Sequence, residues 1–256
     1  MKTETLYGIH PVHEALKARR RKIEAIFISD DSRPERFGRI RGMADEQGVA
    51  IQTTASDRIL QMSRSRQHQG IAARVSPFPV VAVRSVAELA VSEVQPVFFL
   101  LLDQIHDPQN LGAIIRSALS VGVDAIIVPK SRSATPTPTV SKASAGALEH
   151  IHLYRVNNLA QIMQGLKKTG LWLYGLDGDS PNDLYRTEFD GSVGLVIGGE
   201  GSGLRRLVKT NCDQLLAIPQ QGPIDSLNAS AAAAVAMYEV FRQRRRRQEQ
   251  SKPAVD

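Results

Sequence analysis

The sequence predicts an α/β protein of two domains, the second of which contains a parallel β-sheet. From residue 97 onward, apolar strand-like runs alternate with helix-like stretches, a pattern typical of a parallel sheet covered by helices on both faces. The run Val97 to Leu102 is continuously apolar, as expected of a strand buried on both faces. Ser76-Pro77-Phe78-Pro79 contains two prolines and therefore predicts a linker. We assign residues 1–76 to the first domain, 77–94 to the linker, 95–247 to the second domain and 248–256 to a disordered tail.

The first domain is predicted to be a small α/β fold. Tyr7 to Ala18 has apolar residues on one side at helical spacing, so we expect an amphipathic helix there. The polar, basic stretch Ser63 to Gln69 is expected to be a loop able to meet phosphates. The remaining predicted elements are strand 23–29, helix 36–47, strand 49–52 and a closing apolar segment 70–75.

The first helix of the second domain has clear signals at both ends. Asp107 and Pro108 suit the N-cap and the first helical position, and Val121-Gly122 suits the end. Its apolar residues recur at helical spacing and are expected to face the sheet, whereas Arg116 lies off this stripe. Further strands are predicted at 125–128, 151–155, 171–175, 193–197 and 215–218, with helices near 140–148, 159–168 and 226–247.

Two loops that follow apolar strands are the strongest candidates for a ligand site. The strand Val193 to Ile197 enters the stretch Gly198-Gly199-Glu200-Gly201-Ser202-Gly203, whose glycines let a ligand approach the backbone amides. The strand 215–218 enters a turn with Gly222 and Pro223, which leads to Ser226-Leu227-Asn228. Both loops, together with Asp103, lie at carboxyl ends of strands, where parallel sheets bind their ligands.

The spacing of the glycines excludes the common nucleotide motifs. A dinucleotide fingerprint needs G-x-G-x-x-G, but Leu204 stands three residues after Gly201. Leu204 also stands where a Walker loop has lysine, so neither a nicotinamide nor a nucleoside triphosphate is indicated. A glycine-rich turn that only bends the chain is the alternative, and the carboxylate of Glu200 among the glycines favours a ligand site.

The charge of the chain is unevenly distributed. The formal net charge of +6 divides into +5 for residues 1–78, −3 for 79–241 and +4 for 242–256. The runs 19–22 and 244–247 are either solvated helix ends or contacts for a polyanion, and together they favour nucleic acid.

Composition also indicates the compartment. The single cysteine, Cys212, excludes an intrachain disulfide and a cysteine-cluster zinc site, and we expect a buried, unreactive thiol. The first residues lack the apolar core of a signal peptide, and no apolar run reaches membrane-spanning length. We therefore expect a cytoplasmic protein that binds neither a membrane nor a metal.

Three segments resemble the motifs of the SpoU (TrmH-type) family of RNA ribose 2′-O-methyltransferases. They are LDQIHDPQNLGAIIRSA, LVIGGEGSGL and IPQQGPIDSLNASAAAAV, in the family's order and spacing. YGIHPVHEAL and HQGIAARV resemble the substrate-binding domain of the branch that methylates a guanosine of 23S ribosomal RNA. The chain departs from the family's common residues at Gln220, where methionine is usual, and at Ala229, where valine is usual.

This resemblance implies a fold, a cofactor and an assembly. The expected fold is a trefoil-knotted SPOUT catalytic domain preceded by an L30e-like RNA-binding domain. The expected methyl donor is S-adenosylmethionine, the substrate is a guanosine ribose in 23S ribosomal RNA, and the protein is a homodimer whose active site uses both subunits. One alternative is an enzyme that methylates transfer RNA or another ribosomal nucleotide. The other is a catalytically silent assembly factor that binds rRNA.

The resemblance also implies roles for individual residues. The cofactor-binding set is Gly198, Ile218, Leu227 and Ser226, and the catalytic set is Arg116, Asn110, Glu200 and Asn228. Arg116 matches the arginine proposed to activate the hydroxyl, but guanidinium stays protonated in proteins. We therefore expect it to orient the hydroxyl and stabilise developing oxyanion charge. Without the resemblance, the two asparagines could be helix caps, and Ile218 and Leu227 could be core residues.

Overall fold

The chain folds into two units in the computed structural model, which describes residues 3–89, 96–201, 203–221 and 226–250. The first unit contains residues 1–80 and 135–150, and the second contains 81–134 and 151–256. Each unit has its own sheet and its own apolar core. None of the helices in the described part of the chain is long and apolar enough to cross a membrane.

The first unit is built on a four-stranded mixed sheet. Its strands are β1 (Glu4–Tyr7), β2 (Ile23–Ser29), β3 (Ile51–Thr54) and β4 (Ile71–Val75), and its first helices are α1 (Ile9–Ala18), α2 (Gly38–Glu46) and α3 (Ser56–Ser63). The strand order is β1-β4-β2-β3, with β2 and β3 parallel. The predicted helix from Tyr7 was wrong at its start, because Tyr7 ends β1 and Gly8 turns the chain at a φ of 92°. The sequence did not predict β1 or α3.

The second unit begins within the predicted linker. Its first elements are β5 (Val81–Val83), β6 (Phe98–Asp103), α4 (Pro108–Ser120) and β7 (Ala125–Pro129). The predicted ends of α4 are confirmed. At the start, the Asp107 carboxylate accepts a hydrogen bond from the Gln109 amide at 3.0 Å, and at the end Val121 is the C-cap. Residues 90–94 of the linker, and residue 95 after it, lie outside the described residues.

The segment 135–150 belongs to the first unit although it lies in the middle of the chain. It contains α5 (Pro138–Ala143), shorter than the predicted helix 140–148. The fully buried side chain of Arg21 forms ion pairs with Glu149 at 2.9 Å and with Glu4 at 2.8 Å. Burial raises the pKa of Glu149, and the charge of Arg21 opposes that rise. Part of the basic run 19–22 is therefore structural and not a free surface for a polyanion.

The remaining elements complete a seven-stranded sheet. They are β8 (Leu153–Val156), α6 (Leu159–Lys168), β9 (Trp172–Leu176), β10 (Val193–Gly198), α7 (Arg206–Asn211), β11 (Gln214–Leu216) and α8 (Ala229–Gln250). The order is β11-β9-β10-β6-β7-β8-β5, and every neighbouring pair is parallel, which confirms the predicted parallel sheet. β5, from the predicted linker, is an edge strand paired with β8.

The last helix is anchored by its basic run. Arg244 donates hydrogen bonds to the carbonyls of Val97 at 2.8 Å and Gly191 at 3.1 Å, and burial lowers the pKa of Arg244. Arg247 donates to the carbonyl of Phe189. These two arginines hold α8 against the sheet, so the run 244–247 is also partly structural. α8 extends to Gln250, into the predicted tail, and residues 251–256 lie outside the described residues.

Candidate active site

The carboxyl ends of neighbouring strands carry most of the predicted site. β10 pairs with β6 so that Gly198 lies opposite Asp103. On its other side β10 pairs with β9, which in turn pairs with β11, the strand that ends two residues before Ile218. The glycine loop, Asp103 and Ile218 therefore follow strands that end at one edge of the sheet, as predicted.

The glycine loop is folded back tightly on itself. The amide of Gly203 donates to the carbonyl of Gly199 at 3.1 Å, and Gly201 and Gly203 have positive φ angles of 77° and 60°. A Cβ at Gly198 would lie 2.3 Å from the carbonyl carbon of Gly203, and a Cβ at Gly199 would lie 2.2 Å from the carbonyl oxygen of Gln104. These two glycines are therefore required by the close approach of backbone on both sides. Ser202 lies outside the described residues.

A buried ion pair fixes the end of this loop. The Asp103 side chain is fully buried and accepts hydrogen bonds from the Arg205 Nε at 2.8 Å and the Arg205 amide at 2.9 Å, and the Arg205 Nη2 lies 2.6 Å away. Both guanidinium nitrogens approach Oδ1 and the Arg205 backbone amide donates to Oδ2, so the side chain and the backbone of Arg205 are held by one carboxylate. Asp103 was noted in the sequence as a strand-end residue, but nothing in the sequence pointed to Arg205 as its partner.

Replacing this carboxylate tests how far the loop depends on it. Asp103→Asn keeps the shape of the side chain but leaves the guanidinium without its buried counter-charge. We expect a loss of about 2 kcal/mol in the free energy of unfolding. Urea denaturation of the variant measures this loss. Arg245→Ala, which breaks an exposed pair with Glu249, is the control and should cost below about 1 kcal/mol.

Two predicted asparagines meet although they are 118 residues apart. The Asn228 amide group donates to the Asn110 Oδ1 at 3.1 Å, and Asn110 is 8% exposed at the start of α4. The Asn228 Oδ1 accepts from the Ser230 amide at 2.8 Å and from the Ser230 hydroxyl at 2.6 Å, which is the pattern of an N-cap. Asn228 thus caps α8 and links it to α4 in one arrangement.

The charged members of the predicted catalytic set stand apart. Arg116 is exposed on α4, and Glu200 is exposed in the glycine loop. Among the described residues, neither side chain has a hydrogen bond or ion pair. Within one copy of the chain, therefore, no polar contact between described residues links Arg116 to the rest of the catalytic set.

The apolar members of the predicted cofactor set are accessible. Ile218 is half-buried, Leu227 is 43% exposed and Ser226 is exposed. Accessible aliphatic side chains suit the flat face of a purine, whereas core residues would be buried. Residues 222–225, which include Gly222 and Pro223 of the predicted turn, lie outside the described residues.

The reactivity of the single cysteine is limited by its burial. Cys212 is half-buried, and burial raises the pKa of its thiol to about 12, so little reactive thiolate is present near neutral pH. Over the ranges that the structure describes, no three His, Cys, Asp or Glu side chains lie close enough together to hold a metal ion.

Comparison with known proteins decides the family. Residues 97–238 match the sequence profile of the SpoU rRNA Methylase family. Residues 5–81 match the profile described as RNA 2′-O ribose methyltransferase substrate binding. The chain belongs to the SpoU rRNA Methylase family. The resemblance of its three motifs to that family is thereby confirmed.

Characterised relatives of this SpoU methylase align over almost their whole length. The 23S rRNA (guanosine-2′-O-)-methyltransferase RlmB of Escherichia coli K12 is 39% identical over 242 residues, which cover 94% of this chain and 99% of the relative. The protein of the same name from Xanthomonas campestris is 38% identical over 239 residues, or 93% and 96% of the two chains.

Solved structures confirm the fold class of this SpoU methylase. AviRb from Streptomyces viridochromogenes, in complex with AdoMet, superimposes with a TM-score of 0.78 at 24% identity, covering 95% of this chain and 91% of that chain. An AdoMet-bound rRNA methyltransferase from Sinorhizobium meliloti gives a TM-score of 0.77 at 21% identity, covering 94% and 87%. The prediction of a SPOUT-type α/β domain with a separate first domain is confirmed, and the knot stays a prediction of the resemblance.

Proposed function

We propose that this protein methylates the ribose 2′-oxygen of a guanosine in 23S ribosomal RNA, with S-adenosylmethionine as the methyl donor. The observation that carries the proposal is the 39% identity to the Escherichia coli enzyme over 99% of that enzyme's length. The glycine cradle and the linked asparagines are the features of the site that support it. The three motifs indicate the cofactor and do not specify which base carries the methylated ribose. Transfer RNA or another ribosomal nucleotide is therefore the second candidate substrate.

The residues at the strand ends fit the proposed cofactor. S-adenosylmethionine supplies a methyl group on a positively charged sulfur, which a nucleophilic oxygen attacks in line. Gly198 lets the backbone of Gly203 pack directly against it and so shapes the glycine loop that would hold the cofactor, and Ile218 and Leu227 would offer apolar contacts to its adenine. We assign Ser226 a polar contact at the same site. Because in-line transfer depends on alignment, most of the rate enhancement comes from holding the two reactants in place.

The catalytic set acts on the ribose. Arg116 orients the 2′-hydroxyl and stabilises the negative charge that develops on its oxygen, and the hydroxyl proton leaves to solvent water because the guanidinium stays protonated. Asn110 and Asn228 hold each other in place and position the ribose, and Glu200 binds a polar group at the mouth of the glycine loop. In this proposal residues 95–247 carry out the transfer and residues 1–76 bind the RNA. The protein acts in the cytoplasm.

A second copy of the chain is proposed to complete the site. Arg116 is exposed and has no partner among the described residues, so its guanidinium is available to another molecule. The surface of α8 carries a groove of about 660 Å³ beside Tyr185 and Tyr238, which are 53% and 50% exposed. Exposed aromatic residues are typical of protein interfaces. Sedimentation equilibrium should give a dimer, and a monomer at micromolar concentration would contradict this part of the proposal.

Methyl transfer can be measured directly. The purified chain is incubated with radiolabelled S-adenosylmethionine and 23S ribosomal RNA from cells that lack the gene. We expect label at one guanosine ribose, mapped as a 2′-O-methyl position, and no labelling of RNA from cells that have the gene. Label in transfer RNA alone would favour the second candidate. RNA binding with no transfer to either RNA would indicate a silent assembly factor.

The two roles of Asn228 can be separated by substitution. Asn228→Ala removes both the cap of α8 and the bond to Asn110, and should cost about 1 kcal/mol in the free energy of unfolding. Asn228→Ser keeps a capping oxygen but is too short to reach Asn110, so we expect it to retain stability and still lose most of the methyl-transfer rate. Thermal unfolding and turnover are measured on both variants. Full activity in the serine variant would limit Asn228 to capping.

A further inference from the structure

Three loops of the first unit meet at one end of its sheet. The Ser29 amide donates to the Gly70 carbonyl at 2.9 Å, and the Asp30 amide donates to the Thr54 carbonyl at 3.0 Å. These bonds join the ends of β2 and β3 to the start of β4. Between the loops lies a groove of about 810 Å³, which we call the basic groove because Arg33, Arg36 and Arg66 line it.

The three guanidinium groups in the basic groove are not neutralised by ion pairs. Within the described ranges, none of them has a carboxylate within 4 Å, although Asp31 and Glu35 also line the groove. Asp31 already accepts a hydrogen bond from the Ser29 hydroxyl. In the same unit, burial and the nearby charge of Arg36 lower the pKa of Lys142, which is consistent with a positive potential here.

Neutral groups of the basic groove also favour an anion. The His68 Nδ1 accepts a hydrogen bond from the Gly70 amide at 3.1 Å, so the neutral ring carries its proton on Nε2 and remains a donor. Ser56 lines the groove at the first position of α3, whose N-cap is Ala55 and therefore has no capping side chain. The Arg58 amide donates to the Ala55 carbonyl at 3.0 Å, whereas the Ser56 and Asp57 amides have no acceptor within the described residues and are left to bind solvent or a negatively charged group.

The shape of the groove distinguishes between parts of an RNA. It is open and larger than one phosphate needs, and its lining residues include no Phe, Tyr or Trp on which a base could stack. Arginines without base-stacking partners are typical of contacts to the sugar–phosphate backbone, which position a nucleic acid without reading its sequence. Residues 5–81, which contain the groove's lining, match the substrate-binding profile.

We propose that the basic groove binds the phosphate backbone of the RNA substrate and so positions the RNA on the first unit. The inference rests on the proposed function for the identity of the RNA. It assigns the binding to Arg33, Arg36 and Arg66, with His68 and Ser56 as neutral donors, and not to the basic runs, where Arg21, Arg244 and Arg247 are occupied by structural contacts.

The test compares two double variants with the same change of charge. Arg33→Ala/Arg66→Ala removes two cations from the groove, and Arg39→Ala/Arg41→Ala removes two exposed cations of α2 that do not line it. Filter binding of a 23S ribosomal RNA transcript is measured from about 50 to 200 mM KCl. We expect the groove variant to bind about tenfold more weakly, with a salt slope smaller by about two, and the α2 variant to bind like the wild type.

Two further measurements keep this result separate from the proposed function. Titration with S-adenosylmethionine should give the same affinity in all three proteins, and Arg33→Lys/Arg66→Lys should recover most of the RNA affinity because it keeps the charges. Equal RNA affinities and equal salt slopes in the two alanine variants would overturn the proposal. Filter binding needs no methyl transfer, so an inactive wild-type protein that still shows the expected difference would overturn the proposed function alone.

Discussion

Arg116→Ala is expected to reduce the rate of methyl transfer at least about a hundredfold while leaving the affinity for S-adenosylmethionine unchanged. Removing a donor that stabilises developing oxyanion charge typically costs about two to three orders of magnitude in kcat. Arg116 lies off the apolar stripe of α4 and is exposed, so alanine at this position should not lower the melting temperature. Single-turnover transfer of a radiolabelled methyl group measures the rate, and calorimetry measures cofactor binding.

Two controls separate the chemistry of Arg116 from its charge. Lys168→Ala removes one positive charge from an exposed position at the end of α6 and should leave turnover unchanged. Arg116→Lys keeps the charge but loses the planar fork of donors, so we expect it to remain well below the wild type. Wild-type turnover in Arg116→Ala would remove this residue from the mechanism.

Local signals account for the parts of the fold that the sequence predicted well. The start of α4 depends on Asp107 and Pro108 and its end on Val121 and Gly122, which act within one turn of the helix, and the structure has the helix where the prediction placed it. The strands β6 and β10 are long and continuously apolar because both of their faces are covered. Four-residue β1 and polar α3 lack such signals, since their places are set by pairing and packing with distant elements.

Long-range contacts account for what the sequence could not show. The meeting of Asn110 with Asn228 and the pairing of Asp103 with Arg205 both depend on the order of strands in the sheet. The basic run 19–22 looked available for a polyanion, because nothing near Arg21 in the sequence indicates that its partner is Glu149. A run of basic residues in the sequence predicts a surface for a polyanion only where the folded chain leaves those side chains exposed.

Gly198→Ala is the second substitution with a large expected effect. The added Cβ would lie 2.3 Å from the Gly203 carbonyl carbon and 2.6 Å from the Leu204 nitrogen, both of which are backbone atoms that cannot rotate away. The glycine loop must therefore shift, and we expect the dissociation constant for S-adenosylmethionine to rise more than about tenfold, since such sites depend on close backbone approach. Calorimetry below the melting temperature of the variant measures the affinity.

A glycine that is free of neighbours provides the control for that substitution. Gly42 lies inside α2, and a Cβ there would meet nothing within 4 Å. Gly42→Ala should therefore leave cofactor affinity unchanged and stabilise the protein by about 0.5–1 kcal/mol, because alanine is the better helix former. Unchanged cofactor affinity in Gly198→Ala, with Gly42→Ala behaving as expected, would exclude the glycine loop as the cofactor site.

The same variant also tests whether two copies share one site. If the cofactor loop of one subunit works with Arg116 of the other, a mixture of Arg116→Ala and Gly198→Ala chains forms hybrid dimers that contain one intact site. With random pairing, half of the dimers are hybrids, so activity should return to about a quarter of the wild-type value in a closed two-fold assembly. At a cofactor concentration below the wild-type dissociation constant, each variant alone should keep below about a tenth of the wild-type activity. A mixture that remains inactive, although the subunits are shown to exchange, would place Arg116 and the glycine loop of each site in a single chain.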